Sequence, residues 1–142
     1  MEKHLLQAAE RGDAEAQFNL GVMRENGLEN SRYTVEGSRP EALRWFRAAA
    51  EQGLPRAQLK LAEIYAAEPD SSAKACIWFL LATKGLRGAQ LERAQSAYQR
   101  ASLSLTPAQI AIAVNYAESW QPKPPTMPGA LARQKVSAGG RN

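Results

Sequence analysis

Residues 42–62, ALRWFRAAAEQGLPRAQLKLA, contain the pattern from which the fold can be inferred. The stretch predicts the end of one helix, a tight turn at Gly53 and the start of the next helix. A related segment, AAERGDAEAQFNLG, precedes it at Ala8 to Gly21, and a more divergent one, LATKGLRGAQLERA, follows it at Leu81 to Ala94. The chain therefore repeats one helix–turn–helix signal three times.

The three copies share spacing as well as composition. Their turn glycines lie 41 and then 32 residues apart, at Gly12, Gly53 and Gly85. The same offsets align three Ala-Gln pairs, which begin at Ala16, Ala57 and Ala89, and Trp45-Phe46 recurs as Trp78-Phe79. Self-similarity at this period is typical of a helical repeat array, in which each helix pair buries its apolar face against its neighbours.

Residue types suggest a role for each repeated position. Glycine adopts the left-handed conformation that ends a helix without a Cβ clash, so the turn glycines are expected to be helix stops. The alanines allow helix backbones to approach closely, while tryptophan and phenylalanine fill the wider gaps between layers. We therefore predict an all-α fold of about seven helices arranged in antiparallel pairs.

These residues resemble the SEL-1-like repeat of the tetratricopeptide-like superfamily, whose approximate pattern is A-A-x-x-G-x-x-x-A-x-x-x-L-G-x-x-Y, a loop, and K-A-x-x-W-[YF]-x-x-A-A. The first copy matches at Ala8, Ala9, Gly12, Ala16, Leu20, Gly21 and Gly27, and closes with Ala42, Trp45, Phe46, Ala48 and Ala49. The second matches at Ala49, Ala50, Gly53, Ala57, Leu61 and Tyr65, and closes with Lys74, Ala75, Trp78, Phe79 and Ala82.

The chain departs from that pattern at a few positions. Arg24 stands in place of the usual tyrosine, Ala62 replaces the second glycine, and the third copy lacks its leucine. The resemblance implies a right-handed α-solenoid over residues 1–120, with copies at about 8–48 and 49–81 and a degraded copy at 82–120. It implies the fold more strongly than a function, because the family is defined by packing residues.

Cap and turn signals predict the helix bounds. The expected helices are 1–11, 14–26, 38–52, 55–67, a fifth from the turn at 68–71 to Lys84, 87–101 and a last helix that ends near Ser119. The loop 27–38 accounts for the longer first spacing, and Thr106-Pro107-Ala108-Gln109 is a capping box that opens the last helix.

The last helix should close the open edge of the array, with Ile110, Ala113, Val114 and Ala117 on its inner face. Ile112, Tyr116 and Trp120 form a second apolar row at helical spacing. We interpret this row as further capping contact with the preceding helices rather than as an exposed docking stripe.

Charge and composition exclude several classes of function. The net charge of +4 comes from the tail, because all 14 acidic residues lie at or before Glu118 and balance the basic residues of the body. Such mixed charge does not favour nucleic-acid binding by the body. Residues 121–142 are basic and rich in proline and glycine, which predicts a disordered tail, with a short helix possible near residues 130–135. We regard this tail as an inert terminus or, less favoured, a basic arm for an acidic partner.

The chain shows no pattern of a catalytic, metal or membrane-spanning site. His4 is its one histidine, and Cys76, its one cysteine, suits a small structural thiol in a helix. No apolar run reaches the ~18 residues of a membrane span, and no signal peptide is evident. We therefore predict a cytoplasmic, non-enzymatic protein without a cofactor or metal.

The first helices of successive copies should line one concave groove, so aligned positions form rows along it. Phe18, Leu59 and Leu91 form one row, and Val22, Glu63 and Gln95 lie one turn further on. Arg56 and Tyr98 flank these rows, and Glu15 and Glu25 give the first copy an acidic rim. Such a groove suits a bound peptide or helix, but the row of Phe18 and the two leucines is equally consistent with a core between repeats.

The leading hypothesis is a protein–protein interaction module, acting as an adaptor, regulator or assembly factor on another protein of unknown identity. A monomer is favoured. An alternative is an immunity-type inhibitor that neutralises a toxin or enzyme, since bacterial relatives of the resembled repeat include such proteins. A third is weak binding of nucleic acid or another acidic partner through the basic tail.

Overall fold

A computed structural model describes residues 2–26 and 38–125 of the 142-residue chain. Its described residues form seven α-helices and no strand, which confirms the all-α prediction. The helices are α1 (Glu2–Glu10), α2 (Ala14–Asn26), α3 (Ser38–Glu51), α4 (Pro55–Ala66), α5 (Ser72–Thr83), α6 (Gly88–Ser102) and α7 (Pro107–Ser119). The loop predicted at 27–38, apart from Ser38, and the tail predicted beyond Pro125, with its short helix, lie outside the described residues.

The chain divides into two compact units. The described part of the first unit contains α1 to α3 and residues 123–125, and the second unit contains α4 to α7 within residues 53–122. Residues 121–125 are not helical, and the backbone amide of Lys123 donates to the carbonyl of Glu51 at 2.7 Å within the first unit. The prediction of a single domain over residues 1–120 stays a prediction.

The turn between α1 and α2 ends one helix and begins the next. Gly12 has a φ of 98°, its amide donates to the carbonyl of Ala9, and the amide of Asp13 donates to Ala8. This pair of bonds satisfies carbonyls at the end of α1, as in a Schellman motif. The Asp13 carboxylate then accepts a 3.1 Å hydrogen bond from the amide of Ala16 and caps α2.

The core of the first unit lies where α1 and α3 cover α2. The buried side chains of Ala9, Ala16, Leu20 and Trp45 form one hydrophobic cluster. At Gly21 a Cβ atom would lie 2.7 Å from the ring of Phe46, so α2 and α3 approach too closely here for any larger residue.

A buried amide on α2 connects α1 with the residue that follows α3. Gln17 is fully buried, and its Nε2 donates to the carbonyl of Ala9 while its Oε1 accepts from Nε2 of Gln52. At the other end of α2, Nε of Arg24 contacts Oε1 of Glu41 at 3.1 Å. The arginine that replaces the usual tyrosine thus links α2 to the start of α3.

The core of the second unit is built by α4, α5 and α6. Its buried cluster contains Leu59, Ala62, Ala75, Phe79, Ala82, Leu86, Ala94 and Ala97. Trp78 packs against this cluster, just as the aligned Trp45 lies within the cluster of the first unit. Each repeated tryptophan therefore contacts the core of its own unit, although Trp45 is buried and Trp78 is half-buried.

The turn glycines do not all have the predicted conformation. Gly53 has a φ of 99° and matches Gly12, but Gly85 does not lie in the left-handed region, and the prediction for it was wrong. Gly85 is instead required by space, because a Cβ there would collide with the ring of Pro55 at the start of α4. In this copy the positive φ occurs at Gly88.

Helix α7 begins with the predicted capping box. Oγ1 of Thr106 accepts from the amide of Gln109 at 3.1 Å, and Oε1 of Gln109 accepts from the amide of Thr106 at 2.8 Å. The helix packs mainly against α5, with Ala113 and Ala117 buried.

The three residues of the second apolar row of α7 lie in different surroundings. Trp120 lies edge-on to Trp78 with ring centroids 6.1 Å apart, so it makes the predicted capping contact. Ile112 and Tyr116 are 68% and 56% exposed, and the capping role favoured for them was wrong. The reason is geometric, because the row of Ile112 and Tyr116 points about 100° around the helix from the buried row of Ala113 and Ala117, and so points away from α5.

Candidate functional site

The second unit contains an open pocket of about 480 Å³. It lies at the end of α4, the start of α5 and the last turns of α6. Its lining consists of Glu63, Ala66, Ala67, Ser72, Ala97, Arg100, Ala101 and Ser104. We call this the α4–α6 pocket.

Small side chains create the pocket. Alanines line both sides of it, with Ala66 and Ala67 at the end of α4 and Ala97 and Ala101 one turn apart on α6. A methyl group at these positions lets the two helices pack in the core below while leaving a gap at the surface. The pocket is therefore a consequence of helix packing with small residues, as in other sites that form between helices.

Opposite charges border the pocket. Nε of Arg93 on α6 contacts Oε2 of Glu63 on α4 at 2.8 Å, and Arg100 lies two turns further along α6. An exposed ion pair of this kind contributes only about 0–1 kcal/mol to stability. Its more important effect is to hold the Glu63 carboxylate in place, so that both signs of charge border the pocket.

The structure places the predicted groove residues in different surroundings. In the first unit Glu15 is exposed, whereas Phe18, Val22 and Glu25 are half-buried. The ring of Phe18 lies 5.6 Å from that of Phe46. In the second unit the exposed residues are Arg56 and Gln95, the half-buried ones are Glu63, Leu91 and Tyr98, and Leu59 is buried.

Three of these residues come together inside the second unit. Leu59 is 5% exposed within the core cluster, and Leu91 and Tyr98 pack against that cluster. These side chains hold α4, α5 and α6 together, as in the core alternative. Of the ten predicted groove residues, Glu63 lines the α4–α6 pocket. The remaining groove residues stay predictions.

Sequence reasoning missed most of the pocket lining. It followed rows that are aligned between repeats, but Arg100, Ala101 and Ser104 lie where the third copy has lost that alignment. The available signal was the spacing of small residues, because Ala97 and Ala101 are four apart on α6 and face a helix that ends in Ala66-Ala67.

Two ionisable groups lie in or against the core of the second unit. Burial raises the pKa of the Cys76 thiol, which is 1% exposed. Burial also raises the pKa of the Tyr98 phenol, and the neighbouring Cys76 adds to that rise. Both groups are therefore neutral at pH 7, and a neutral buried thiol is a poor nucleophile.

Within residues 2–26 and 38–125, no group of three or more His, Cys, Asp or Glu side chains could hold a metal ion. No helix of these segments combines the length and apolar character that a membrane span requires.

The comparison with protein families identifies the repeat. A family model described as Sel1 repeat matches residues 14–54 and 55–85, which together make up just over half of the chain. The chain belongs to the Sel1 repeat family. The first match contains α2 and α3, the second contains α4 and α5, and the divergent pair α6–α7 follows the matched residues.

Sel1 repeats are generally protein–protein interaction modules and typically serve as non-enzymatic scaffolds. Comparisons with curated proteins and with solved structures gave no match. The α4–α6 pocket lies next to the second Sel1 repeat, since it uses the end of α4, the start of α5 and the helix that follows them.

Proposed function

We propose that this Sel1 repeat protein binds a segment of another protein in the α4–α6 pocket and serves as a non-enzymatic adaptor, regulator or assembly factor. The observation that supports this proposal is the pocket itself, an open space of about 480 Å³ on the surface of this protein. The family to which the chain belongs consists generally of interaction modules. The lining of the pocket combines small alanine side chains with the hydroxyls of Ser72 and Ser104 and with the charges of Glu63 and Arg100. This combination suits a peptide side chain with polar groups at its edge.

The proposed site replaces a central part of the predicted groove. Leu59 cannot be an exposed contact for a partner because it is 5% exposed and belongs to the core of the second unit. A change to aspartate there would test folding rather than binding. Exposed residues at the pocket are the informative positions.

The decisive variant is Arg100→Glu. It reverses a charge at the pocket rim, opposite Glu63, and Arg100 is exposed, so the fold should be retained. The matched control is Gln99→Glu, because Gln99 is the adjacent exposed residue on α6 and does not line the pocket. Circular dichroism of both variants checks that the helices are preserved.

The experiment is affinity purification from the native host with wild type, R100E and Q99E, followed by mass spectrometry and calorimetry with the purified partner. We expect one protein to be captured by wild type and Q99E, with its affinity for R100E lowered at least tenfold. Equal affinity for the two variants would place the binding surface elsewhere.

A further inference from the structure

Two side chains that line the α4–α6 pocket offer hydrogen-bond donors without partners. Arg100 and Ser72 line the pocket, and neither side chain has a hydrogen-bond or ion-pair partner within residues 2–26 and 38–125. Arg100 is exposed near the end of α6, and Ser72 is half-buried at the start of α5. A guanidinium only donates and a hydroxyl can donate, so both side chains suit a ligand that accepts hydrogen bonds.

Two acceptors at the pocket, in contrast, already have donors. Oε2 of Glu63 accepts from Nε of Arg93 at 2.8 Å. The carbonyl of Ala101 accepts from the hydroxyl of Ser104 at 3.0 Å, which also uses the donor of that serine. An incoming cation would therefore compete with Arg93 for Glu63, whereas an incoming anion meets donors that are not in use.

The charges around the pocket favour an anion for the same reason. Glu63 and Arg100 are the charged residues of the lining, and Arg93 compensates Glu63. The charge of Arg100 is therefore not balanced by a contact. Glu68 and Asp70 lie in the turn between α4 and α5 but do not line the pocket. The charge at the pocket that has no partner is thus positive.

One unpaired arginine matches a carboxylate in both shape and charge. A planar carboxylate can accept two parallel hydrogen bonds from a guanidinium, and its single negative charge equals the charge of Arg100. A phosphorylated side chain carries about −1.5 to −2 charges at pH 7, more than one arginine balances. It would also lie near the Glu63 carboxylate. Charge matching therefore favours aspartate or glutamate over a phosphorylated residue.

We propose that the segment bound in the α4–α6 pocket is acidic and presents an aspartate or glutamate side chain to Arg100, with the Ser72 hydroxyl as a second donor to the segment. This inference rests on the proposed function, because it names the class of partner for the same pocket. The chain's own residues 126–142 contain no aspartate or glutamate, so they do not supply this side chain.

The test is selection from a phage library of random peptides of about 12 residues, long enough when extended to cross the pocket. Wild-type protein is the bait, and the selected peptides are synthesised and measured by fluorescence anisotropy. They should share an aspartate or glutamate at one aligned position and bind R100E at least about tenfold more weakly. Q99E, whose added charge lies outside the lining, should bind them like wild type.

Exchanging the charges tests the pairing with Arg100 directly. A peptide in which lysine replaces the shared acidic residue should lose its affinity for wild type and bind R100E at least about tenfold more tightly than the acidic peptide does. Ser72→Ala should weaken binding of the acidic peptide about threefold, the effect of one neutral hydrogen bond. A lysine peptide that does not bind R100E better than the acidic peptide overturns the pairing.

The remaining outcomes separate the class of partner from the site. Peptides that lose affinity in R100E but share no acidic position overturn the acidic class and leave the pocket as the binding site. A shared lysine or arginine also overturns it, since Glu63 would then be the recognition group. A phosphoserine version of the peptide that binds at least about tenfold more tightly overturns it in favour of a phosphorylated partner. If no selected peptide distinguishes R100E from Q99E, the proposed function is wrong as well.

Discussion

The second Sel1 repeat and the helix pair that follows it contain aligned residues in very different surroundings. Ala57 and Gln58 on α4 are 0% and 3% exposed, whereas their counterparts on α6, Ala89 and Gln90, are exposed. The third aligned residue changes less, since Leu59 is buried and Leu91 is half-buried.

The difference follows from the helix that packs against α4 and the helix that follows α6. Helix α5 packs extensively along α4, but α7 packs mainly on α5 and does not return along α6 in the same way. The first turn of α6 is therefore covered on fewer sides. Repeat alignment thus predicts the position of a residue along its helix. It predicts burial only when the helix that packs against that residue is also repeated.

The largest expected effect distinguishes the aligned leucines. Leu59→Ala removes a side chain that is 5% exposed from the core cluster and should lower the free energy of unfolding by about 2–5 kcal/mol. Leu91→Ala removes a half-buried side chain and should lower it by about 1 kcal/mol. Urea unfolding followed by circular dichroism measures both. Equal losses would show that α6 is covered as fully as α4.

A larger side chain at the aligned alanines should affect stability differently. Ala57→Leu adds three carbon atoms where the side chain has no exposure, and should lower the free energy of unfolding by about 1–3 kcal/mol. Ala89→Leu adds the same atoms at an exposed position and should change it by no more than about 0.5 kcal/mol. Thermal unfolding of the two variants is the measurement. A stable A57L protein would contradict the close packing around α4.

How well the sequence predicts a feature depends on whether the residues that determine it are close together in the chain. Helix bounds were predicted to within one or two residues because glycine, proline and Thr106 act locally on the backbone. The role of Gly85 was missed because it depends on Pro55, a contact 30 positions away in the chain. The α4–α6 pocket was missed because it depends on how α6 packs, and the spacing of Ala97 and Ala101 indicates small residues on one side of α6 without specifying that packing.

The buried glutamine gives a third comparison. Gln17→Ala should lower the free energy of unfolding by about 1–2 kcal/mol, because the carbonyl of Ala9 and the amide of Gln52 lose their buried partner. Gln90→Ala, the aligned change on α6, should be neutral within about 0.5 kcal/mol, since Gln90 is exposed. Chemical denaturation resolves a difference of this size. Similar values for both would mean that the amide bridge in the first unit adds little.

The smallest effect is expected from the core ionisable groups, and it appears only at alkaline pH. The pKa values of Cys76 on α5 and Tyr98 on α6 are raised above their ordinary values of 9.0 and 10.0. These two side chains therefore stay protonated to higher pH in the folded state than in the unfolded state. The stabilisation is therefore fully present well below pH 9 and declines as the pH rises through the ordinary thiol pKa of 9.0, because the unfolded chain then binds fewer protons.

Cys76→Ala isolates the contribution of the thiol. The variant should lose less stability than wild type between pH 8 and pH 10, as measured by urea unfolding at each pH, because its unfolded state has no thiol to ionise. Ser96→Ala, at an exposed position on α6, is a control that should follow the wild-type slope. An unchanged slope in C76A would mean that the thiol does not share the core in which Tyr98 packs. A shallower slope would instead show that the folded state shields the thiol on α5 from ionisation, as its burial implies.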